Sequence, residues 1–173
     1  MSQRFESEQW LPAPLAAVFA FFADPRNLPR IMPPSRGARI LKLNLVLPRF
    51  PVGELPPGAE HMASVGTEIV LKFRAIPCIP LHEKWTAVIT DFELNQVFRD
   101  IQKQGPFRRW EHTHTFASKT VDCREGTLVH DSVEYEVGFG MIGSLLERMI
   151  FQRIMRSTFD YRRRALEAIY QSR

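Results

Sequence analysis

Five segments between residues 67 and 137 alternate apolar and polar side chains and follow one another with no helical segment between them. Glycine, proline or asparagine separates them, a pattern typical of β-strands joined by short turns. Such strands pair antiparallel, whereas a doubly wound parallel sheet needs a helix between successive strands and is therefore excluded. The predicted strands are residues 67–76, 81–92, 96–104, 109–118 and 127–137.

The chain ends in one long predicted helix over residues 142–170. Its apolar residues recur every three or four positions, which gives the helix one apolar face. On a chain with a single sheet, a helix of this length buries that face by lying across the sheet. The C-terminal third of the chain therefore predicts a sheet packed against a terminal helix.

The N-terminal part adds a strand over residues 3–11, a short apolar helix over 15–23, a second helical turn over 27–32 and a strand over 38–47. Residues 48–64 contain four prolines and two glycines and are predicted to form a long loop. Long loops often act as lids or binding loops, and an inert insertion is an equal alternative. The predicted class is α+β: a curved antiparallel sheet, two short helices after the first strand, and a long C-terminal helix gripped by the sheet.

Composition indicates the class of protein. With 173 residues and 45% hydrophobic content, the chain is expected to form one domain over residues 1–173 with a core large enough for an internal cavity. No apolar run is long enough to span a membrane, and charges interrupt the start of the chain, so we expect a cytoplasmic protein without an integral membrane segment. The two cysteines lack the spacing of a metal site or a disulfide framework.

The net charge of +4 resides in the C-terminal segment, because residues 141–173 carry seven basic and three acidic side chains. A basic end can meet nucleic acid or an anionic membrane surface. However, aromatic residues are not interleaved with a basic strand, so no nucleic-acid partner is predicted, and the charges are interpreted as the solvated face of the helix.

This order of elements resembles the START-like, or helix-grip, superfamily also called SRPBCC, which includes polyketide cyclases, pollen allergens, START lipid-transfer domains and coenzyme Q-binding proteins. The resemblance is carried by Pro14 with the helix that follows it, and by DPRNL at 24–28, GPFRRWEHTHTF at 105–116, TLVHDSVEY at 127–135 and FDYR at 159–162. The resemblance covers nearly the whole chain apart from residues 48–64, and the chain resembles in particular a bacterial ligand-binding subgroup of this superfamily. It implies an elongated apolar cavity between sheet and helix that holds a hydrophobic small molecule.

Two neighbouring strands offer a mixed polar and aromatic wall for such a cavity. Alternation puts Phe98, Asp100 and Gln102 on one face, and a turn at residues 105–106 pairs Asp100 with His112. The candidate cavity residues are Trp85, Phe98, Asp100, Gln102, Trp110, His112, His114, Phe116, Tyr135 and Met149. Aromatic rings supply contact area and a few polar groups fix a ligand's orientation, while ordinary core packing or a structural Asp–His contact remains open for the same residues.

The same wall contains the catalytic candidates, Asp100 and His112, because a carboxylate that orients an imidazole can form a general base. His112 and His114 could also chelate a metal, but zinc sites need three or four ligands, and only Asp100 and, less directly, His130 or His82 are further candidates. The sequence therefore predicts neither a metal nor another cofactor.

Three functional hypotheses follow. The first is a binding protein for a lipid, quinone or polyketide-like molecule. The second is a metal-free enzyme of the cyclase or dehydratase class, in which Asp100 or His112 moves a proton. The third is an interaction module that docks through the proline-rich loop or the basic helix. The residues do not indicate an oligomeric state.

Overall fold

The computed structural model describes residues 2–50, 59–74, 82–137 and 145–171. Seven strands form one antiparallel sheet in the order β1-β7-β6-β5-β4-β3-β2. The strands are β1 (Gln3–Leu11), β2 (Arg39–Asn44), β3 (Glu68–Arg74), β4 (His82–Glu93), β5 (Val97–Gln104), β6 (Phe107–Val121) and β7 (Arg124–Val137). The predicted α+β helix-grip class is confirmed, and among the described helices none is long and apolar enough to cross a membrane.

Two helices flank this sheet. Helix α1 (Leu15–Ala23) follows β1, and helix α2 (Leu145–Gln171) ends the described chain. Between α1 and β2 lie two 3₁₀ segments, Pro25–Ile31 and Pro34–Arg36, where the sequence predicts one helical turn. The Asp24 carboxylate caps the first of them by accepting a hydrogen bond from the Arg26 amide, which fixes the chain direction after α1.

Part of the predicted proline-rich loop lies outside the described residues. Residues 48–50 have no regular structure, residues 51–58 are not described, and Ala59–His61 form a 3₁₀ turn. Beyond it, the Ala63 amide donates to the Ala23 carbonyl at the end of α1. The described C-terminal end of the loop is therefore anchored to the first helix.

The turn between β6 and β7 is shorter than the predicted strands 109–118 and 127–137 would leave. β6 continues to Val121 and β7 begins at Arg124, so that Asp122 and Cys123 form the turn, both with positive φ. Two central residues with positive φ give the turn geometry that matches the twist of a tight hairpin. The resulting register puts His114 opposite Asp131 and His112 opposite Val133.

Gly126 in β7 allows β1 to approach closely. A Cβ atom at this position would lie 2.4 Å from the Leu11 carbonyl oxygen and 2.6 Å from the Trp10 ring. We expect Gly126→Ala to lower the free energy of unfolding by about 1–3 kcal/mol, because the β1 backbone must shift to admit the methyl group. Urea denaturation measures the loss.

The matched control is Lys119→Ala, at the exposed position paired with Gly126, whose backbone carbonyl still accepts the Trp10 indole hydrogen bond. Equal stability of the Gly126→Ala variant and the wild type would contradict the close approach of β1.

Candidate functional site

A cavity of about 330 Å³ lies between the concave face of the sheet and helix α2. Its wall is mainly apolar and draws residues from α1, the 3₁₀ segments, β3 to β6 and α2. The larger apolar side chains on this wall are Phe21, Phe22, Leu28, Ile31, Met32, Ile69, Leu71, Phe73, Trp85, Ile89, Phe98, Phe107, Trp110, Phe151, Ile154, Met155 and Phe159. A wall of this kind favours a ligand whose surface is mostly hydrocarbon or aromatic.

These side chains point into the cavity because alternate residues of a strand share one face and residues three or four apart share one face of a helix. In β4, Trp85 and Ala87 point to the cavity, and the Trp85 ring meets Trp110 edge to face at 4.7 Å between centroids. In α2, buried Met155 and Phe159 and the buried Arg162 recur at the three- and four-residue spacing of one helix face.

A buried polar cluster of Asp100, His112, His114, Asp131 and Arg162 interrupts the apolar surroundings. Oδ1 of Asp131 lies 3.0 Å from Nε2 of His112, 2.6 Å from Nδ1 of His114 and 3.2 Å from Nη1 of Arg162. The His112 contact is a hydrogen bond, whereas the His114 nitrogen has no aligned partner. Asp131 is thus the centre of the cluster, behind the two histidines.

Asp100 completes the cluster from β5. Its Oδ2 lies 4.0 Å from Nδ1 of His112, as expected for residues paired across β5 and β6. Asp100, His112, His114 and Arg162 reach the cavity wall, while Asp131 is not part of that wall. The cluster therefore presents hydrogen-bonding groups to one part of a mainly apolar space.

Burial and charge shift the pKa values of three cluster members. Burial raises the pKa of Asp100, and it lowers the pKa of His114 to about 3, so that His114 is neutral at pH 7. Burial alone would raise the pKa of Asp131, but the positive charge of Arg162 and the contacts with the two histidines hold the pKa of this carboxyl well below its usual value. Asp131 and Arg162 are hence a buried ion pair.

A second buried cation lies on the cavity wall. Arg36 donates to the Arg74 carbonyl at 2.8 Å and to the Thr158 hydroxyl at 3.3 Å, and burial lowers the pKa of its guanidinium. These bonds tie the 3₁₀ segment Pro34–Arg36 to the end of β3 and to α2. Arg36 thereby fixes one rim of the cavity to the helix.

Six of the ten predicted cavity residues lie on the cavity wall: Trp85, Phe98, Asp100, Trp110, His112 and His114. The other four do not. Gln102 turns back to its own hairpin, where its side chain donates to the Phe107 carbonyl and accepts from the Phe107 amide. Met149 is 59% exposed on the outer face of α2.

Phe116 and Tyr135 are core residues instead. The Phe116 ring packs edge to face on Phe19 and Phe22 of α1 and is not part of the cavity wall. Tyr135 is fully buried and its hydroxyl donates to the Gln3 side chain on β1. Both residues have the inward direction that alternation predicts, but they lie beside the cavity rather than on its wall.

Sequence reasoning missed Asp131 and Arg162 as site residues. Asp131 shares the inward face of β7 with buried Val129 and Val133, and Arg162 follows Met155 and Phe159 on the apolar face of α2. The sequence did contain a signal: each of these charged residues occupies a position where the periodic pattern calls for an apolar side chain. Because charged side chains are rarely buried without a partner, such a position indicates a buried charge with a specific role.

Comparison with known proteins gives a family match and a fold match. Residues 11–159 match the family described as polyketide cyclase/dehydrase and lipid transport. Among curated proteins, none matches the sequence.

Several solved structures have the same fold. TTHA0849 from Thermus thermophilus is 19% identical over 98% of both chains, with a TM-score of 0.63. Protein CV1439 from Chromobacterium violaceum is 15% identical over 97% of both chains, with a TM-score of 0.59. A START superfamily protein from Mycobacterium smegmatis is 14% identical over 98% of this chain and 97% of that one, with a TM-score of 0.61. At these identities, the likeness establishes the fold alone.

Proposed function

The chain belongs to the polyketide cyclase/dehydrase and lipid transport family, and from this premise we propose that it binds a hydrophobic or aromatic small molecule of the lipid, quinone or polyketide type. The observation that carries the proposal is the cavity of about 330 Å³ with its apolar wall and polar cluster. Its volume is in the range of small-molecule sites, and burial of apolar ligand surface supplies the binding free energy.

The polar cluster on the wall determines which class of ligand the cavity can bind. Asp131 and Arg162 neutralise each other, so the cavity presents Asp100, His112 and His114 to a ligand as hydrogen-bonding groups. A molecule with an apolar body and one hydroxyl or carbonyl group satisfies both parts of the wall. A ligand that is polar over its whole surface leaves most of its groups without partners, which costs free energy.

The proposal is tested by titration with N-phenyl-1-naphthylamine, a neutral apolar fluorophore whose emission rises in apolar surroundings. We expect saturable binding at one molecule per chain and displacement by long-chain alcohols or quinones. Absence of saturable binding to folded protein would overturn the proposal.

A second candidate function is proton transfer on the bound molecule. It is supported by the carboxyl of Asp100 and the imidazole of His112, which meet on the cavity wall at 4.0 Å. Deuterium exchange at the α-carbon of 2-tetralone, followed by NMR, tests it. We expect the wild type to accelerate exchange and Asp100→Asn to lose that acceleration, whereas equal rates with and without protein would exclude this candidate.

A further inference from the structure

The two histidines of the polar cluster differ in how they are held. His112 Nε2 is hydrogen-bonded to the ionised Asp131 carboxylate at 3.0 Å, so this nitrogen carries the proton. A neutral imidazole has one N–H and one lone pair, which leaves the lone pair of His112 on Nδ1. This nitrogen is the one that faces Asp100.

His114 is buried with 4% exposure and still lacks an aligned hydrogen bond at Nδ1, although the Asp131 oxygen is only 2.6 Å away. Buried polar atoms are normally satisfied by a partner, and each exception calls for a physical reason. Nδ1 of His114 faces the Asp131 carboxylate, so Nε2 is the nitrogen of His114 that is left to bind another group.

Asp100 is also incompletely paired among the described residues. Within the described residues its carboxylate accepts no hydrogen bond, and its contact with His112 Nδ1 at 4.0 Å is longer than a hydrogen bond. The Arg162 guanidinium is paired with Asp131, and the ion-pair contact of Asp100 within the described residues is the one with Nδ1 of His112. Nδ1 of His112 and Oδ2 of Asp100 therefore lie opposite each other across 4.0 Å.

One donor atom from each of Asp100, His112 and His114 lies within 4.8 Å of the others. We propose that these three residues bind a divalent transition-metal ion, with Asp131 as the outer carboxylate that orients His112. A bound ion with bonds of about 2.0–2.2 Å draws the donor atoms together by roughly 1–1.5 Å. Side-chain rotation of Asp100 supplies such a movement.

The donor set indicates which ions fit. Two imidazoles and one carboxylate suit the ions from Fe²⁺ to Zn²⁺, whereas Mg²⁺ and Ca²⁺ prefer oxygen donors throughout. The hydrogen bond from a ligating histidine to a buried carboxylate is the usual outer support of such sites. Three protein ligands leave coordination positions open, and the wall that carries them faces the apolar cavity. The ion would therefore meet the polar end of a bound molecule.

Co²⁺ is the probe that tests this site, because its visible absorption reports its ligands independently of any activity. Tag-free protein is freed of metal with a chelator and titrated with Co²⁺, and affinity for Zn²⁺ is measured by calorimetry. We expect one ion per chain and the absorption bands of a site with mixed nitrogen and oxygen ligands. We expect Asp100→Asn and His114→Gln to weaken binding by more than the roughly 10- to 100-fold cost of losing an outer partner.

His61→Gln removes an exposed histidine outside the cluster and is the matched control, expected to bind Co²⁺ as the wild type does. Circular dichroism establishes that each variant is folded. The proposal would be overturned if folded Asp100→Asn and His114→Gln bound Co²⁺ with the affinity of the wild type. It would also be overturned if the wild type bound well below one ion per chain. The fluorophore titration on metal-free protein is separate, so failure of the metal site leaves the ligand proposal standing.

Discussion

Replacing Asp131 with asparagine is expected to lower the free energy of unfolding by about 3–5 kcal/mol, because removal of one partner leaves the other charge buried and unpaired. Asp131 is 5% exposed and Arg162 is 9% exposed, so water cannot replace the lost carboxylate. The hydrogen bond from His112 loses its charged acceptor at the same time. Urea denaturation followed by circular dichroism measures the change.

Two variants isolate the origin of this loss. Glu6→Gln breaks the exposed pair with Arg4 on β1, and we expect an effect of less than about 1 kcal/mol. The double variant Asp131→Leu with Arg162→Met removes both charges, and we expect it to regain part of the stability that Asp131→Asn loses. A loss of less than about 1 kcal/mol in Asp131→Asn would contradict the buried ion pair.

Replacing Ala87 with phenylalanine is expected to weaken binding of N-phenyl-1-naphthylamine by about tenfold or more. Ala87 is buried on the inward face of β4 and lies on the cavity wall, so the added ring occupies the space that the fluorophore needs. A tenfold change corresponds to about 1.4 kcal/mol, less than the transfer free energy of one fully buried aromatic side chain. Fluorescence titration of the folded variant measures the change.

Thr90→Phe adds the same ring to an exposed position of the same strand and is the matched control. We expect its fluorophore affinity to equal that of the wild type. Unchanged affinity in folded Ala87→Phe would mean that the dye binds elsewhere, and the cavity would lose its assigned role.

The sheet could be predicted from sequence because period-two alternation is a local property. The same alternation, together with a hairpin turn at residues 105–106, predicted that Asp100 pairs with His112. The register of β5 and β6 has this pair. The centre of the polar cluster could not be found this way, because Asp131 meets His114 only through the register of the next hairpin. The turn residues there, Asp122 and Cys123, do not have the Asn-Gly signature of a tight turn.

Helix α2 shows a second reason why some site residues could not be predicted correctly from the sequence. Spacing alone identifies an apolar face, and Met149 satisfies that spacing, yet Met149 is exposed while Met155 is buried on the cavity wall. Which turns of a helix contact the sheet depends on where and at what angle the helix crosses it. That crossing is set by packing of the whole fold, so it is not encoded in the residues around Met149.

The most direct test of ligand binding in the cavity uses the methionine methyl groups as internal reporters. Met32 and Met155 lie on the cavity wall, whereas Met149 is exposed and Met62 is buried but does not belong to the wall. NMR spectra of ¹³C-methyl-labelled methionine are recorded during titration with N-phenyl-1-naphthylamine. Binding in the cavity predicts large shifts of the Met32 and Met155 resonances, with Met149 and Met62 unchanged. Shifts at Met149 with Met32 and Met155 unaffected would contradict it.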